Sequence, residues 1–407
     1  MHSHRRAHAR IAAGLFAGLG VQVGAWAVLI PELVASRSLT TGELGAALAV
    51  MAATSIGALA AAGPLADRIG RRPLAVAGVA GFAAAFTLLA GVEAPLALWP
   101  TMALYGVASG CLDLAANAIG SDYERAHGVR AMVRLHAGFS AAAAAGALLA
   151  GAVGPDAYAV VAALYLALAA VTIVAPLPPH EEAEPFVGAP HETAVAAYES
   201  PGPAPARAGR LEVLRIPGVT VAVGLVTLCF FGDGAIEGYA ALFLRDALGS
   251  GALLTGAAIA AFHGASMVGR LVFSRSADDR RVLTIAGLLA SAAMAVVVAA
   301  GGPGLAAAGL LVVGFALSPI VPTALSIAGR NAPGRSATAV SVVTTVGYSA
   351  FVLGPPLVGL LASATSLRAA LLPVVASTAA IALLARYSGV TYAPDSPPST
   401  RKVDALT

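Results

Sequence analysis

Charged residues are scarce in this sequence. Of its 407 residues only 11% are charged, and 58% are hydrophobic, whereas a soluble domain carries about 25% charged residues. So little charge cannot cover the surface of a soluble globule of this size, which excludes a water-soluble enzyme. Intrinsic disorder is excluded as well, because it requires few apolar residues and a high net charge. The composition therefore predicts an integral membrane protein.

Cysteine is rarer still. The only two cysteines, Cys111 and Cys229, lie in apolar stretches, so we interpret them as small hydrophobic residues and not as a disulfide or a metal site. The net charge of +3 is small and its basic residues are scattered, which disfavours a nucleic-acid partner. Neither a metal nor a cofactor is expected.

Long apolar runs make up most of the sequence. A helix needs about 20 apolar residues to cross a bilayer. The first run follows three arginines, as a signal peptide does, but it contains Gln22 and no convincing cleavage site, so we interpret it as a span. The sequence predicts an all-α membrane protein with twelve spans, at residues 11–31, 42–63, 73–92, 96–120, 134–154, 157–177, 217–243, 252–275, 282–301, 303–328, 337–362 and 367–386.

The basic residues predict the orientation of these spans. If both termini are cytoplasmic, all but three of the 24 Lys and Arg residues fall on the cytoplasmic side, the exceptions being Arg37, Arg245 and Arg368. Residues 178–215 are rich in Pro and Glu and contain no span, which predicts a flexible cytoplasmic linker. The expected location is the cell membrane, with the chain crossing the lipid bilayer many times.

This topology can be tested at position 190 in the linker. A cysteine introduced by Pro190→Cys should react with an impermeant maleimide only after the cells are opened, because the linker is predicted to be cytoplasmic. The native cysteines lie in predicted spans, and the parent protein measures their background labelling. Reaction at position 190 in intact cells would contradict the predicted topology.

The two halves of the sequence repeat. The segment Gly63–Arg72 (GPLADRIGRR) follows the second span, and Gly269–Arg275 (GRLVFSR) follows the eighth span, 269 − 63 = 206 residues later. Six spans, a linker and six more spans are the plan of a duplicated transporter. We predict pseudo-symmetric six-helix bundles at 1–177 and 216–386, with a cytoplasmic tail at 387–407.

On these residues the sequence resembles the major facilitator superfamily over essentially its whole length. The loop pattern is similar to that superfamily's signature between spans 2 and 3. A finer resemblance, to bacterial permeases related to the fucose permease, rests on Asp113–Asn117 with Glu124, His136–Ser140, Asp233–Tyr239 and Gly354–Gly359. Asp233 and Tyr239 stand where Glu and Trp are expected in relatives, and only the fragment Gly154-Pro155 remains of a drug-antiporter motif, so the substrate stays open.

The resemblance implies a carrier in which spans 1, 4, 7 and 10 line a central cavity. It also implies that the signature loop latches the two halves together in the outward-facing state. By its chemistry, Asp67 can cap a nearby helix start, and Gly70 is expected to adopt a backbone angle closed to other residues. A merely topogenic basic loop is the alternative. The gating-loop residues are Gly63, Asp67, Arg68, Gly70, Arg71 and Arg72.

Three acidic residues lie within predicted spans, where an ionisable group is costly and therefore a functional candidate. Asp233 and Glu237 are four residues apart in span 7 and share a helical face. Two close carboxylates cannot both ionise cheaply in a low dielectric, so a proton is expected to be bound there. Asp233 is the first candidate for proton coupling, Asp113 in span 4 the second and Glu237 the third. A solvated position near the outer mouth is the alternative for Asp233 and Glu237.

Two histidines extend this set. His136, with Arg134, opens span 5 at a depth comparable to that of Asp113, so an Asp–His or Asp–Arg pair is expected there, either as a proton switch or as a static salt bridge. His263 in span 8 is a candidate for the cavity, although a lone histidine in a membrane span is often a hydrogen-bonded structural residue.

Polar and aromatic residues on the presumed cavity helices predict the substrate site. Gln22 and Trp26 share a face of span 1, and Asn117 and Tyr239 add further groups. Apolar walls with a few hydrogen-bonding groups suit a neutral or mildly polar organic molecule. Anchoring at the membrane interface is the alternative for Trp26 and Tyr239. No basic residue lies clearly mid-helix, which argues against an anionic substrate.

The predicted function is secondary active transport of a small organic solute, sugar-like, drug-like or other, by alternating access coupled to protons. No Walker loop is present to use ATP. A transporter-like sensor or scaffold is the main alternative. A membrane-embedded enzyme lacks support, because the sequence contains neither a His-Glu-x-x-His nor a Gly-x-Ser-x-Gly motif. A monomer is expected, and the direction of transport is open.

Overall fold

The computed structural model describes residues 2–91, 95–129, 131–179, 212–273, 278–332 and 335–388. Throughout these ranges the regular structure is helical. The helices are α1 (His2–Ser36), α2 (Thr41–Ile69), α3 (Arg71–Gly91), α4 (Pro95–His127), α5 (Met132–Val153), α6 (Ala157–Val174), α7 (Pro217–Leu242), α8 (Ala252–Phe273), α9 (Asp279–Ala299), α10 (Pro303–Leu317), α11 (Ile320–Asn331), α12 (Ser336–Ala364), α13 (Leu367–Ala370) and α14 (Leu372–Tyr387).

Twelve crossings can be counted in this part of the chain. Eleven continuous stretches are long and apolar enough to span a membrane, and one of them, Arg134–Val174, has 41 residues. That is twice the length that a crossing needs. A 3₁₀ turn at Gly154–Asp156 divides it into α5 and α6, and Gly154 adopts φ +63° there. The predicted all-helical architecture is confirmed, while most of the linker 178–215 and of the tail 387–407 lies outside the described residues.

The tenth span is broken in its middle, where the sequence contains Pro319 and Pro322. Helix α10 ends at Leu317 and α11 begins at Ile320. Proline lacks the N–H that would continue the hydrogen-bond ladder, and its ring clashes with the preceding turn. Ser318 and Pro319 interrupt the helix here, although the backbone angles of both residues remain in the right-handed helical region.

The segment 63–72, predicted as a loop, is mostly helical, so this part of the prediction is wrong. Helix α2 continues through Ile69, and α3 starts at Arg71. Only Gly70 interrupts them, with φ +86°, which confirms the predicted backbone angle. The Gly70 N–H still donates to the carbonyl of Ala66, because extending the helix satisfies backbone groups that a loop would leave open. Asp67 lies inside α2, and its side chain is outside the described residues.

Two ion pairs occupy corresponding positions in the two halves, in agreement with the predicted repeat. Arg71, the first residue of α3, contacts Asp122 near the end of α4, with Nε 2.6 Å from Oδ2. Asp279, the first residue of α9, contacts Arg330 near the end of α11. The second pair follows the first by 208 residues (279 − 71 and 330 − 122). The two halves therefore share a helix-to-helix connection at matching positions, with the charges exchanged.

Glycines hold the first bundle together. Added side chains at Gly20 and Gly24 of α1 would overlap the backbone of α5, and those at Gly106 and Gly110 of α4 would overlap α2. Such close approach is what small residues allow in membrane helices. All four contacts lie within the N-terminal half, which favours packing within a bundle over a role at the moving interface.

Candidate functional site

The two halves contact each other closely at the end of the molecule remote from the termini. A Cβ built on Gly45 of α2 lies 3.1 Å from the Cα of Gly359 of α12, and one built on Gly151 of α5 lies 2.9 Å from the Cα of Gly256 of α8. A side chain at Gly151 would overlap the facing backbone, and one at Gly45 would force its neighbours to shift. The glycines therefore form a seal, here called the closed end.

Tyr239 completes the closed end. Its side chain is fully buried, and its hydroxyl donates to the carbonyl of Thr41 at 3.4 Å, beside Gly45 and Gly359. The prediction that Tyr239 lines the substrate cavity is therefore wrong for this conformation. Anchoring at the membrane interface is equally excluded, because the ring lies between the two halves.

Toward the end that carries the termini, the halves separate. Gly57 on α2 and Gly138 on α5 have no atom within 4 Å of an added side chain. All approaches between the halves that are mediated by glycine in the described residues lie at the closed end. The cleft between the halves therefore opens toward the termini.

A set of polar residues, here called the central cluster, lies partly inside the N-terminal bundle and partly on α7 and α8 of the C-terminal bundle. In the N-terminal half, the Tyr105 hydroxyl of α4 donates to Oε1 of Gln22 on α1, and the ring of Trp26 lies 4.9 Å from that of Tyr105. Gln22 and Trp26 are both buried, which rules out interface anchoring for Trp26. Glu237 of α7 lies within electrostatic range of Tyr105.

Glu237 and His263 form the C-terminal side of the central cluster. The Glu237 Oε1 lies 3.5 Å from Nε2 of His263, and the two side chains are 18% and 7% exposed. A solvated mouth position for Glu237 is therefore excluded. His263 is not a lone histidine, yet its Nε2 has no hydrogen-bond partner within the described chain. A carboxylate this close to an unsatisfied imidazole nitrogen needs only a small shift to share a proton with it.

Asp233 lies one turn before Glu237 and interacts with it electrostatically. Its Oδ2 is 3.9 Å from the Sγ of Cys229. Arg270 on α8 is within electrostatic range of both Asp233 and His263. Its Nη1 donates to the Ser140 hydroxyl of α5, in the opposite half, at 3.1 Å. Arg270 lies in the last turn of α8, as expected from the absence of a basic residue in the middle of a span, but its side chain reaches from there toward the other half.

A second acidic group lies in the N-terminal half. Asp113 interacts electrostatically with His136, whose ring is 4.9 Å from that of Phe16. The Asn117 amide donates to Oδ1 of Asp113 at 3.2 Å. Asp113 and His136 are thus near each other, while a pair that acts as a proton switch or as a static salt bridge stays a prediction. Asn117 belongs to this group and not to the pair of Gln22 and Trp26.

Comparison with known proteins agrees with this architecture. The model of the Major Facilitator Superfamily matches residues 11–355. The chain is 27% identical over 368 residues to the membrane protein MosC of Rhizobium meliloti, covering 88% of this chain and 84% of MosC.

Solved structures share the fold at low sequence identity. A crystal structure of the nucleoside transporter NupG matches with a TM-score of 0.72 at 13% identity, covering 94% of this chain and 100% of NupG. The fucose:proton symporter FucP of E. coli matches with a TM-score of 0.57 at 16% identity, covering 94% and 98%. The family match, the twelve helical crossings and the cleft between two bundles agree, and the chain belongs to the Major Facilitator Superfamily of membrane transporters.

Proposed function

We propose that this transporter moves a small organic solute by alternating access and couples the movement to protons. The observation that carries the proposal is the close pair of half-buried Glu237 and buried His263, which lies within electrostatic range of Tyr105 of the other half and has Asp233 one helical turn away. Ionisable residues inside a membrane protein commonly form proton relays. This group lies where the two halves must move against each other.

The proton has a physical role in such a cycle. Two carboxylates in a closed, water-poor cluster repel each other, and a bound proton removes one of the two negative charges. The protonated cluster can therefore be closed off from water at lower electrostatic cost than the deprotonated cluster. When the cleft opens to water, the charged form is solvated again and the proton is released.

The conformation supports alternating access. The halves are sealed by Tyr239 and the glycine contacts at one end and separated at the other. With both termini in the cytoplasm of a cell-membrane protein, as the basic residues predict, this is an inward-open state. The gating segment 63–72 would then latch the halves only when the opposite, cytoplasmic end closes.

The site chemistry supports an organic solute with hydrogen-bonding groups. Gln22, Trp26 and Tyr105 offer amide, indole and phenol groups beside apolar walls, as small-molecule sites commonly do. The structural neighbours include a nucleoside transporter and a fucose:proton symporter, which makes nucleosides and hexoses suitable first probes. We expect the transporter to act as a monomer, with bundles at 1–177 and 216–386 joined by the linker 178–215.

Proton flux into proteoliposomes tests this function. Vesicles that contain the protein and an internal pH-sensitive dye are exposed to single nucleosides, hexoses, amino acids and small carboxylates. At least one solute should change the internal pH, at a rate at least tenfold above that of protein-free vesicles. Radiolabelled uptake of that solute should respond to an imposed pH difference. Uptake at a rate independent of the pH difference would contradict proton coupling. Binding of a solute without any uptake would favour the alternative function of a sensor.

A further inference from the structure

We infer that Arg270 binds the carboxylate of a singly charged organic anion, which identifies the class of substrate. This inference rests on the proposed function, since it assigns the solute that the central cluster carries. It goes against the neutral solute expected from the sequence, and it depends on where the structure places one guanidinium group.

Arg270 points into the cleft and not toward the membrane surface. An arginine close to the end of its helix, as Arg270 is on α8, commonly extends its charge outward to the interfacial water. Here the side chain instead reaches Ser140, eight residues into α5, and interacts with Asp233 and His263 in the middle of the C-terminal half. An arginine that served only to set the orientation of the helix in the membrane would not need to point into the cleft.

The guanidinium is only partly satisfied. Arginine has five N–H donors in a planar fork, and the described contacts use one of them, on the neutral hydroxyl of Ser140. Among the described residues no carboxylate forms an ion pair with Arg270 within 4.0 Å, and its side chain is exposed. The remaining donors have the geometry that a carboxylate accepts in a bidentate pair.

The Ser140 hydroxyl accepts a hydrogen bond from Arg270 at the position where the ligand carboxylate would bind. Ser140 is buried in the other half of the protein, within the segment His136–Ser140 that carries part of the family resemblance. A charge-assisted bond to a carboxylate is roughly twice as strong as a bond to a neutral hydroxyl. A carboxylate can therefore replace Ser140 on Arg270, and in doing so it exchanges a contact between the two halves for a contact with substrate.

The neighbouring charges favour one negative charge over two. Asp233 lies within electrostatic range of Arg270, and a dianion such as a phosphate monoester would be repelled by it while gaining only one guanidinium. A monocarboxylate needs no second cation.

Thermal unfolding of the purified full-length protein tests the assignment. The probes are matched solutes at millimolar concentration, namely D-glucuronate with D-glucose, benzoate with benzyl alcohol, and D-glucose 6-phosphate as a dianion. At least one carboxylate should raise the Tm of the parent protein by several degrees, while its neutral partner and the dianion should not. The carboxylate should lose at least tenfold in affinity in Arg270→Gln, about 1.4 kcal/mol, and keep more of it in Arg270→Lys.

Ser140→Ala is the matched control, because it removes the same hydrogen bond without removing the charge. It should retain or strengthen carboxylate binding. Equal stabilisation by a carboxylate and its neutral partner, unchanged binding in Arg270→Gln, or no response to any carboxylate would each overturn the inference. Proton flux driven by a neutral solute alone would reject the role of Arg270 and leave the proposed function standing. Carboxylate binding without proton flux would reject proton coupling instead.

Discussion

The double variant Gly42→Cys/Ser363→Cys should form a disulfide under mild oxidation and lose transport completely until it is reduced. A Cβ built on Gly42 lies 3.5 Å from the Cβ of Ser363, which falls within the range of about 3.5–4.5 Å between the Cβ atoms of disulfides. Gly42 belongs to α2 and Ser363 to α12, in opposite halves. The bond would hold the closed end shut, and a carrier that cannot open both ends cannot complete a cycle.

The cross-link is measured by mass spectrometry in a background with Cys111→Ala and Cys229→Ala, and transport by the proton-flux assay before and after reduction. The control pair Gly57→Cys/Ser349→Cys lies on the same two helices, nearer the open end. Nothing approaches within 4 Å of a side chain added at Gly57, so this pair should remain unlinked. Cross-linking of the control pair but not of Gly42→Cys/Ser363→Cys would contradict the inward-open interpretation. So would full transport by the cross-linked protein.

The number of helices and their order could be predicted because they depend on local properties. A run of about 20 apolar residues can avoid exposing backbone groups to lipid only by forming a helix, and each run is visible in the sequence alone. The exact ends of the helices were harder to predict. Residues 63–69 contain Gly, Pro, Asp and Arg, which favour a loop, yet the helix continues through them to Ile69. Continued backbone hydrogen bonding, up to the bond from the Gly70 N–H to the carbonyl of Ala66, outweighed the local preference there.

The acidic members of the site could be predicted for a related reason. Asp113, Asp233 and Glu237 are conspicuous because carboxylates are rare in apolar spans. Tyr105 was missed because one aromatic residue in a span looks like ordinary core. Arg270 was missed because an arginine at a helix end looks topogenic, and its direction is fixed only by Ser140 on a helix from the other half. Contacts across the two bundles leave no periodic signal in the sequence.

Tyr239 is a residue that the sequence assigned to the substrate cavity and that the structure places elsewhere. Its position on α7, two residues after Glu237, suggests a shared environment, but successive residues on a helix point in different directions. Glu237 contacts His263 in the cleft, while Tyr239 lies in the closed end against Thr41. Helical spacing predicted correctly that Asp233 and Glu237 interact, and it also separates Tyr239 from them.

Replacing Asp233 with asparagine should abolish accumulation of solute driven by a pH gradient, reducing it at least tenfold. Asparagine keeps the size and hydrogen-bonding groups of the side chain but cannot bind and release a proton at this position. Exchange of labelled for unlabelled solute should partly survive, because exchange requires no net proton movement. This difference between accumulation and exchange separates a coupling residue from one that merely supports the fold.

Cys229→Ala is the matched control for Asp233→Asn. It removes the neighbour whose Sγ lies 3.9 Å from Asp233 and leaves the carboxylate in place, so accumulation should stay within about twofold of the parent value, as for most substitutions that create no charge defect. Glu237→Gln should also reduce accumulation, since it removes the carboxylate beside His263. If Asp233→Asn and Glu237→Gln both concentrate solute as the parent does, the coupling proton binds elsewhere. Asp113 with His136 in the N-terminal half would then be the group to replace.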